Sequence, residues 1–167
     1  MIMNRTLRLC AGLLLIWTLA GCIGEDYDVG VPKAILHIDA HILSRDVPLT
    51  EANVSWDSSS GKVEETIDDI EEYASTQDEI EIFPGQDVTL RFEENEENGG
   101  DIWTDPTIKA NLWTNGEKTE IDLDEDREFL LPTEEGNYIL EATFKDDENT
   151  AQYVANIVIA DDTDTSS

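Results

Sequence analysis

Residues 136–145 read Gly-Asn-Tyr-Ile-Leu-Glu-Ala-Thr-Phe-Lys, and Tyr138, Leu140, Ala142 and Phe144 fall on every second position. Side chains alternate between faces along an extended chain, so this spacing predicts a strand with one buried face. The same period recurs at Val88, Leu90 and Phe92, between Asp87, Thr89, Arg91 and Glu93, and again at Ile108, Ala110 and Leu112. Further strands are expected over 34–42, 52–57, 79–83, 118–123, 128–131 and 151–159. That makes about nine short strands, at the spacing of an antiparallel β-sandwich. Pro84 and Gly85 suit the centre of a type II turn, and Asn115 and Gly116 that of a type I′ hairpin, so the strands on either side of each turn are expected to be neighbours.

One segment departs from this period. Between Lys62 and Thr76, Val63, Ile67, Ile70 and Ala74 recur at intervals of four, three and four, with acids between them. This spacing predicts one face of a short acidic helix near 63–76. Adjacent like charges weaken such a helix, and an irregular insertion is the alternative.

The first residues carry a separate signal. Arg5 and Arg8 flank an apolar run from Leu9 to Leu19 that has the length of a signal-peptide core and is short for a bilayer span. The following Leu19-Ala20-Gly21-Cys22 resembles the lipobox of bacterial lipoproteins, in which small residues admit the signal peptidase and the cysteine thiol receives diacylglycerol. The resemblance implies a signal peptide over 1–21, cleavage before Cys22, and a covalent lipid on Cys22. It places the mature chain at the extracytoplasmic face of the cell membrane. Each buried lipid methylene contributes about 0.8 kcal/mol, so several chains hold firmly where one would not. Cys10 falls in the removed segment and Cys22 is consumed by lipid, which leaves the domain no thiol for a disulfide, a nucleophile or a metal. Residues 22–32 read as a tether, 33–160 as the sandwich, and 161–167, which contain only Asp, Thr and Ser, as a disordered acidic tail.

Charge narrows the partners. Loss of residues 1–21 removes Arg5 and Arg8 and no acid, so the net charge moves from −29 to −31. Nucleic acid is excluded as a partner by the sign of this charge. An anionic lipid surface repels the domain, so contact with the membrane is expected through the lipid anchor alone. A monomer is expected, kept hydrated by its acids.

The run Pro84-Gly85-Gln86-Asp87-Val88-Thr89-Leu90 and the stretch from Pro132 to Phe144 resemble immunoglobulin-like sandwich domains, and the spacing of Gly136 and Tyr138 resembles a tyrosine corner. More narrowly, several features in order resemble small uncharacterised lipoproteins of bacilli with an immunoglobulin-like β-sandwich domain. They are Trp56 after a first strand, the Pro-Gly turn, Leu112-Trp113 before Asn115-Gly116, and then Tyr138 and Tyr153. The resemblance spans most of 32–160, and members often carry a cysteine where this chain has Val54 and Ser55. It implies a single-membrane host and no particular activity. Trp56, Trp113 and Tyr138 read as core or half-core aromatics.

Two constellations could carry chemistry. His37, Asp39 and His41 share a face if extended, but the two histidines then lie about 13 Å apart, too far for one transition metal. Asp122, Asp124 and Asp126 have the alternate spacing of calcium-loop ligands, yet Arg127 and Thr133 stand where an EF-hand needs glycine and glutamate, so only a looser calcium site is in play. Glu93, Glu94, Glu96, Glu97 and Asp101 form a second acidic loop. The sequence has no nucleophile elbow, phosphate loop or zinc-binding His-Glu-x-x-His, and an enzyme is not expected. The expected function is a non-catalytic, lipid-anchored binding or envelope-interaction module for a protein or cell-wall ligand, with no cofactor beyond the lipid. The alternative is a surface protein that binds calcium or another cation through its acidic loops.

Overall fold

The computed structural model describes residues 30–39, 44–58, 61–93 and 106–161. The signal peptide, Cys22, nearly all of the tether, His41, the acidic loop beyond Glu93, and the tail beyond Asp161 lie outside them. The chain forms an all-β sandwich of two sheets. The smaller sheet has the order β2-β1-β6-β9, from β1 (Lys33–Ile38), β2 (Arg45–Pro48), β6 (Asp87–Glu93) and β9 (Glu128–Leu130). The larger runs β4-β3-β11-β10-β7-β8, from β3 (Thr50–Ser58), β4 (Gly61–Glu65), β7 (Thr107–Thr114), β8 (Glu117–Ile121), β10 (Gly136–Lys145) and β11 (Thr150–Ile159). The remaining strand, β5 (Glu79–Ile82), pairs with the last part of β11.

Alternation explains the core. Leu36, Leu90 and Val88 from the small sheet meet Leu140, Phe144, Tyr153 and Ile157 from the large one, all essentially fully buried. Trp56 is 2 % exposed, with its ring centroid 6.0 Å from that of Phe144, and Phe92 packs on both Phe144 and Tyr153. Such tilted aromatic contacts add to area burial. The Tyr153 hydroxyl donates to the Pro32 carbonyl, which satisfies the polar tip of a buried ring and ties down the chain just before β1.

Each of the nine expected strands is present, and two more join them. β2 and β4 carry too little buried apolar surface to be read from alternation: all five residues of β4 are exposed. The long strand expected over 34–42 is described only as far as Ile38, and Asp39 has already left it. Asn115 and Gly116 take φ of 51° and 78° and close the β7–β8 hairpin as expected. Gly85, with φ of 66°, fits its type II position, but the strands flanking Pro84-Gly85 are not neighbours: β5 belongs to the large sheet and β6 to the small one. The turn is a corner between sheets. Among the described residues β5–β11 is also the one parallel pairing, because β3 covers only the first half of β11, up to Val154, and β5 takes over the vacated edge.

The expected helix is shorter than its spacing implied. Val63 lies in β4 opposite Trp56, and α1 covers only Ile70–Ser75. It starts there because the Asp69 side chain accepts the Glu72 N–H at 2.9 Å, an N-cap that fixes the first turn. Ile67, Ile70 and Tyr73 then pack with Ala52, Ala74, Ile139 and Val154 as a second small core on the outer face of the large sheet.

Tyr138 forms the corner that its spacing with Gly136 implied. Its hydroxyl donates to the Glu134 carbonyl at 3.1 Å, where the chain passes from β9 to β10. Tyr138→Phe is expected to lower stability by about 1 kcal/mol, the usual net worth of one such bond, seen as a lower urea midpoint with an unchanged denaturant slope.

Candidate functional site

The register of the large sheet sets the site. Ile139 of β10 lies opposite Trp113 of β7 on one side and Asn156 of β11 on the other, so the three side chains form a row on the outer face. α1 crosses above one end of this row. Asn156 donates to the Ser75 and Gln77 carbonyls at 3.3 Å each, and a Glu71 carboxylate oxygen accepts the Gly116 N–H at 3.1 Å. Helix, hairpin tip and sheet thus enclose a cleft of about 460 Å³, lined by Trp113, Asn137, Asn156, Glu71 and Glu72 among others. This is within the size range of small-ligand sites.

Beside the cleft, Glu141 is the only buried charged side chain among the described residues, at 3 % exposure. Trp113 Nε1 donates to it at 2.7 Å, Lys118 Nζ lies 2.7 and 3.0 Å from its two oxygens, and Asn111 Nδ2 lies at 3.4 Å. A buried carboxylate persists only when its oxygens are so occupied. Lys118 Nζ also sits 5.1 Å from the Trp113 ring centroid. Glu141 therefore fixes the indole. No sequence signal marked it, because its partners lie on other strands.

The sequence-derived candidates separate. His37 does not join Asp39: its Nδ1 lies 2.5 Å from Asp46 Oδ1 across the β1–β2 pair, and Arg91 donates to the same oxygen. Asp39 accepts from Ser44 Oγ at 2.9 Å instead, and His41 lies outside the described residues. The hydrogen bond to His37 holds the Asp46 carboxyl below the usual range, opposed in part by desolvation and helped by the charges of Arg91 and His37. Asp124 Oδ1 is occupied by the N–H groups of Asp126 and Glu128, at 3.0 and 2.8 Å, in a turn where Arg127 takes a φ of 63°. Asp122, Asp124 and Asp126 are thus not gathered around a common point. Among the described residues no group of three or more His, Cys, Asp or Glu side chains is placed to hold a metal ion.

Comparison with known proteins brings no relative to this site: no family model matches the chain, and no curated protein matches it.

A carboxyl held low in the folded state adds stability above its unfolded value, and the gain is lost as pH falls through the folded value. Asp46→Asn should therefore destabilise at pH 7, with the gap to wild type closing below about pH 4 in urea melts. Glu51 has the opposite sign, since burial and then Glu65 push it up. Glu51→Gln should stabilise at neutral pH and lose that advantage on acidification. Asp124→Ala should cost about 1 kcal/mol through its lost turn bonds, and the same in calcium as in chelator, as thermal melts in both buffers will read.

Proposed function

We propose that the chain is a non-catalytic, lipid-anchored binding or envelope-interaction module, carried at the extracytoplasmic face of the cell membrane through Cys22. The observation that carries this reading is Leu19-Ala20-Gly21-Cys22 behind a short apolar run and two arginines. The position of the first strand supports it. β1 starts at Lys33, so residues 22–32 give a reach of up to about 35 Å from the lipid if extended. That is several times the physiological Debye length of about 8 Å. The domain, which holds most of the charge of −31 carried by residues 22–167, can thus stand clear of an anionic surface. The resemblance to bacillus lipoproteins favours a single-membrane envelope.

The cleft supports binding over catalysis. Asp69 and Glu71, two of its carboxylates, already accept backbone N–H groups, and the neighbouring Glu141 is enclosed by donors. An acid or base needs a proton-transfer partner within reach of a reacting atom. These groups are committed to holding the walls.

Mass spectrometry of the protein extracted from membranes tests the anchor. The expected product begins at Cys22 and carries the mass of a diacylglyceryl group, and Cys22→Ser should lack that mass and lose its partition into detergent. An unmodified Cys22, or a chain that still begins at Met1, overturns the proposal.

A further inference from the structure

We propose that Asn115, at the tip of the β7–β8 hairpin, is a site of spontaneous deamidation, and that the Glu71 carboxylate of α1 holds the reaction back while the helix is docked. The inference goes beyond the binding-module reading and does not depend on it.

An asparagine deamidates when the backbone nitrogen of the next residue attacks its side-chain carbonyl carbon, and a side chain on that next residue obstructs the approach. Among the described residues Asn115 is the asparagine followed by glycine, whereas the others precede Val54, Leu112, Tyr138, Thr150 and Ile157. Asn115 is exposed, so water and hydroxide reach it. The Gly116 N–H gives its proton to hydroxide, and the nitrogen bonds to Asn115 Cγ. The Cγ–Nδ2 bond then breaks to release ammonia, which takes its third proton from water and restores the hydroxide. Water opens the resulting succinimide ring, either at Cγ to leave aspartate at position 115 or at the main-chain carbonyl to leave isoaspartate. Overall, an amide and a water become an acid and ammonia.

The folded turn opposes the first step in two ways. Asn115 and Gly116 have φ of 51° and 78°, as a type I′ turn demands, and Asn115 Nδ2 donates to Thr114 Oγ1 at 3.4 Å, so the carboxamide is turned to the preceding residue. The Gly116 N–H, meanwhile, donates to a Glu71 carboxylate oxygen at 3.1 Å. Loss of that proton would set an anionic nitrogen against a carboxylate, and a like charge so close disfavours the charged form. An ordinary carboxylate is far too weak a base to take a proton from a peptide nitrogen, so the contact restrains the nucleophile and does not activate it. The product undoes the restraint. A new carboxylate at position 115 sits on the turn that Glu71 grips, and the isoaspartyl form lengthens the main chain between Thr114 and Glu117, which are paired. Deamidation is therefore a one-way change that loosens α1 from the hairpin.

The test follows the full-length protein, purified in detergent, in mildly alkaline buffer, beside a synthetic peptide of residues 110–118. Trypsin releases the same segment from the protein, since Lys109 and Lys118 bound it, and chromatography with mass spectrometry separates asparagine, aspartate and isoaspartate at position 115. Conversion there is expected in the folded protein, about tenfold slower than in the peptide because it waits on local opening. Asn111, in the same segment, should stay unconverted. Glu71→Gln keeps the size and an acceptor oxygen but removes the charge, and should raise the rate severalfold. Glu72→Gln, which removes the same charge one residue away, should leave the rate unchanged, and circular dichroism melts check that both variants are folded. Wild type supplies a reading that needs no variant: its Gly116 amide should exchange hydrogen about tenfold more slowly than that of the peptide, by NMR. An unprotected Gly116 amide, equal deamidation rates in protein and peptide, a rate in Glu71→Gln at or below wild type, or equal acceleration by Glu72→Gln would overturn the inference. No conversion at position 115 in either wild type or Glu71→Gln would overturn it as well.

Discussion

Two corners of the sandwich are hydrogen-bonded to each other, and the arrangement of the sheets depends on that stitch. The chain passes from β5 in the large sheet to β6 in the small one at Pro84-Gly85, and from β9 in the small sheet to β10 in the large one between Leu131 and Gly136. Between them the Gly85 N–H donates to the Pro132 carbonyl at 2.9 Å, and the Leu131 N–H donates to the Gln86 carbonyl at 3.0 Å. Backbone groups at a corner have no ladder partner, so pairing the corners satisfies both at once. The geometry strongly favours glycine at position 85. A Cβ there would lie 3.2 Å from Thr133 Cγ2, at a φ that L side chains rarely adopt. The Tyr138 hydroxyl then fixes the second corner from inside. With both corners set, β6 and β9 pair in one sheet while β10 pairs with β7 and β11 in the other, which locks the two sheets of the sandwich together.

That frame leaves the outer face of the large sheet to be covered by the excursion between β2 and β5. A single residue, Leu49, separates β2 in the small sheet from β3 in the large one, and its N–H donates to the Ala34 carbonyl as the chain crosses. The excursion continues through β4 and α1, buries Ala52, Ile139 and Val154 from outside, and comes back as β5. A helix of six residues is too short to be stable through its own hydrogen bonds, so it exists because Asp69 caps it and because Ala74 and its neighbours are buried. Since α1 is shorter than the sheet beneath it, part of the row from Trp113 to Asn156 stays uncovered. The cleft is the remainder.

How much of this was legible depends on the range of the interaction. Strands with one buried face show themselves through nearest-neighbour alternation, and the Asn115-Gly116 turn through the φ angles it demands. The Pro84-Gly85 turn was legible as a turn but not as a corner, because local dihedrals do not say which sheet the next strand will join. β4 was invisible because both of its faces are wet, and Val63 at 47 % exposure had fallen by chance into helical spacing with Ile67 and Ile70. The helix start, in contrast, was written in Asp69 and Glu72, three residues apart as in a capping box, and that signal outranks spacing. His37 looked along its own strand for partners, whereas its contact, Asp46, lies across the hairpin. Glu141 and the cleft depend on β7, β8 and β10 being side by side and could not be read from any one segment.

Charge links the fold to its outer face. The described residues include eight lysines and arginines, and five of these are engaged: Arg45 by the Glu81 carbonyl, and Lys62, Arg91, Lys109 and Lys118 by acids. Pairs between exposed groups contribute little, so most of this engagement neutralises charge locally without holding the fold together. Lys118 differs because its partner is buried, and it is therefore confined to the side of Trp113 that faces Glu141. α1 has acids in its first turn and no base in its last, so nothing on the helix compensates Glu71 and Glu72. Among the described residues Lys118 is the cation that lies by the indole, and it is committed to the Glu141 carboxylate, so the acids of the first turn have no base paired with them on the helix itself.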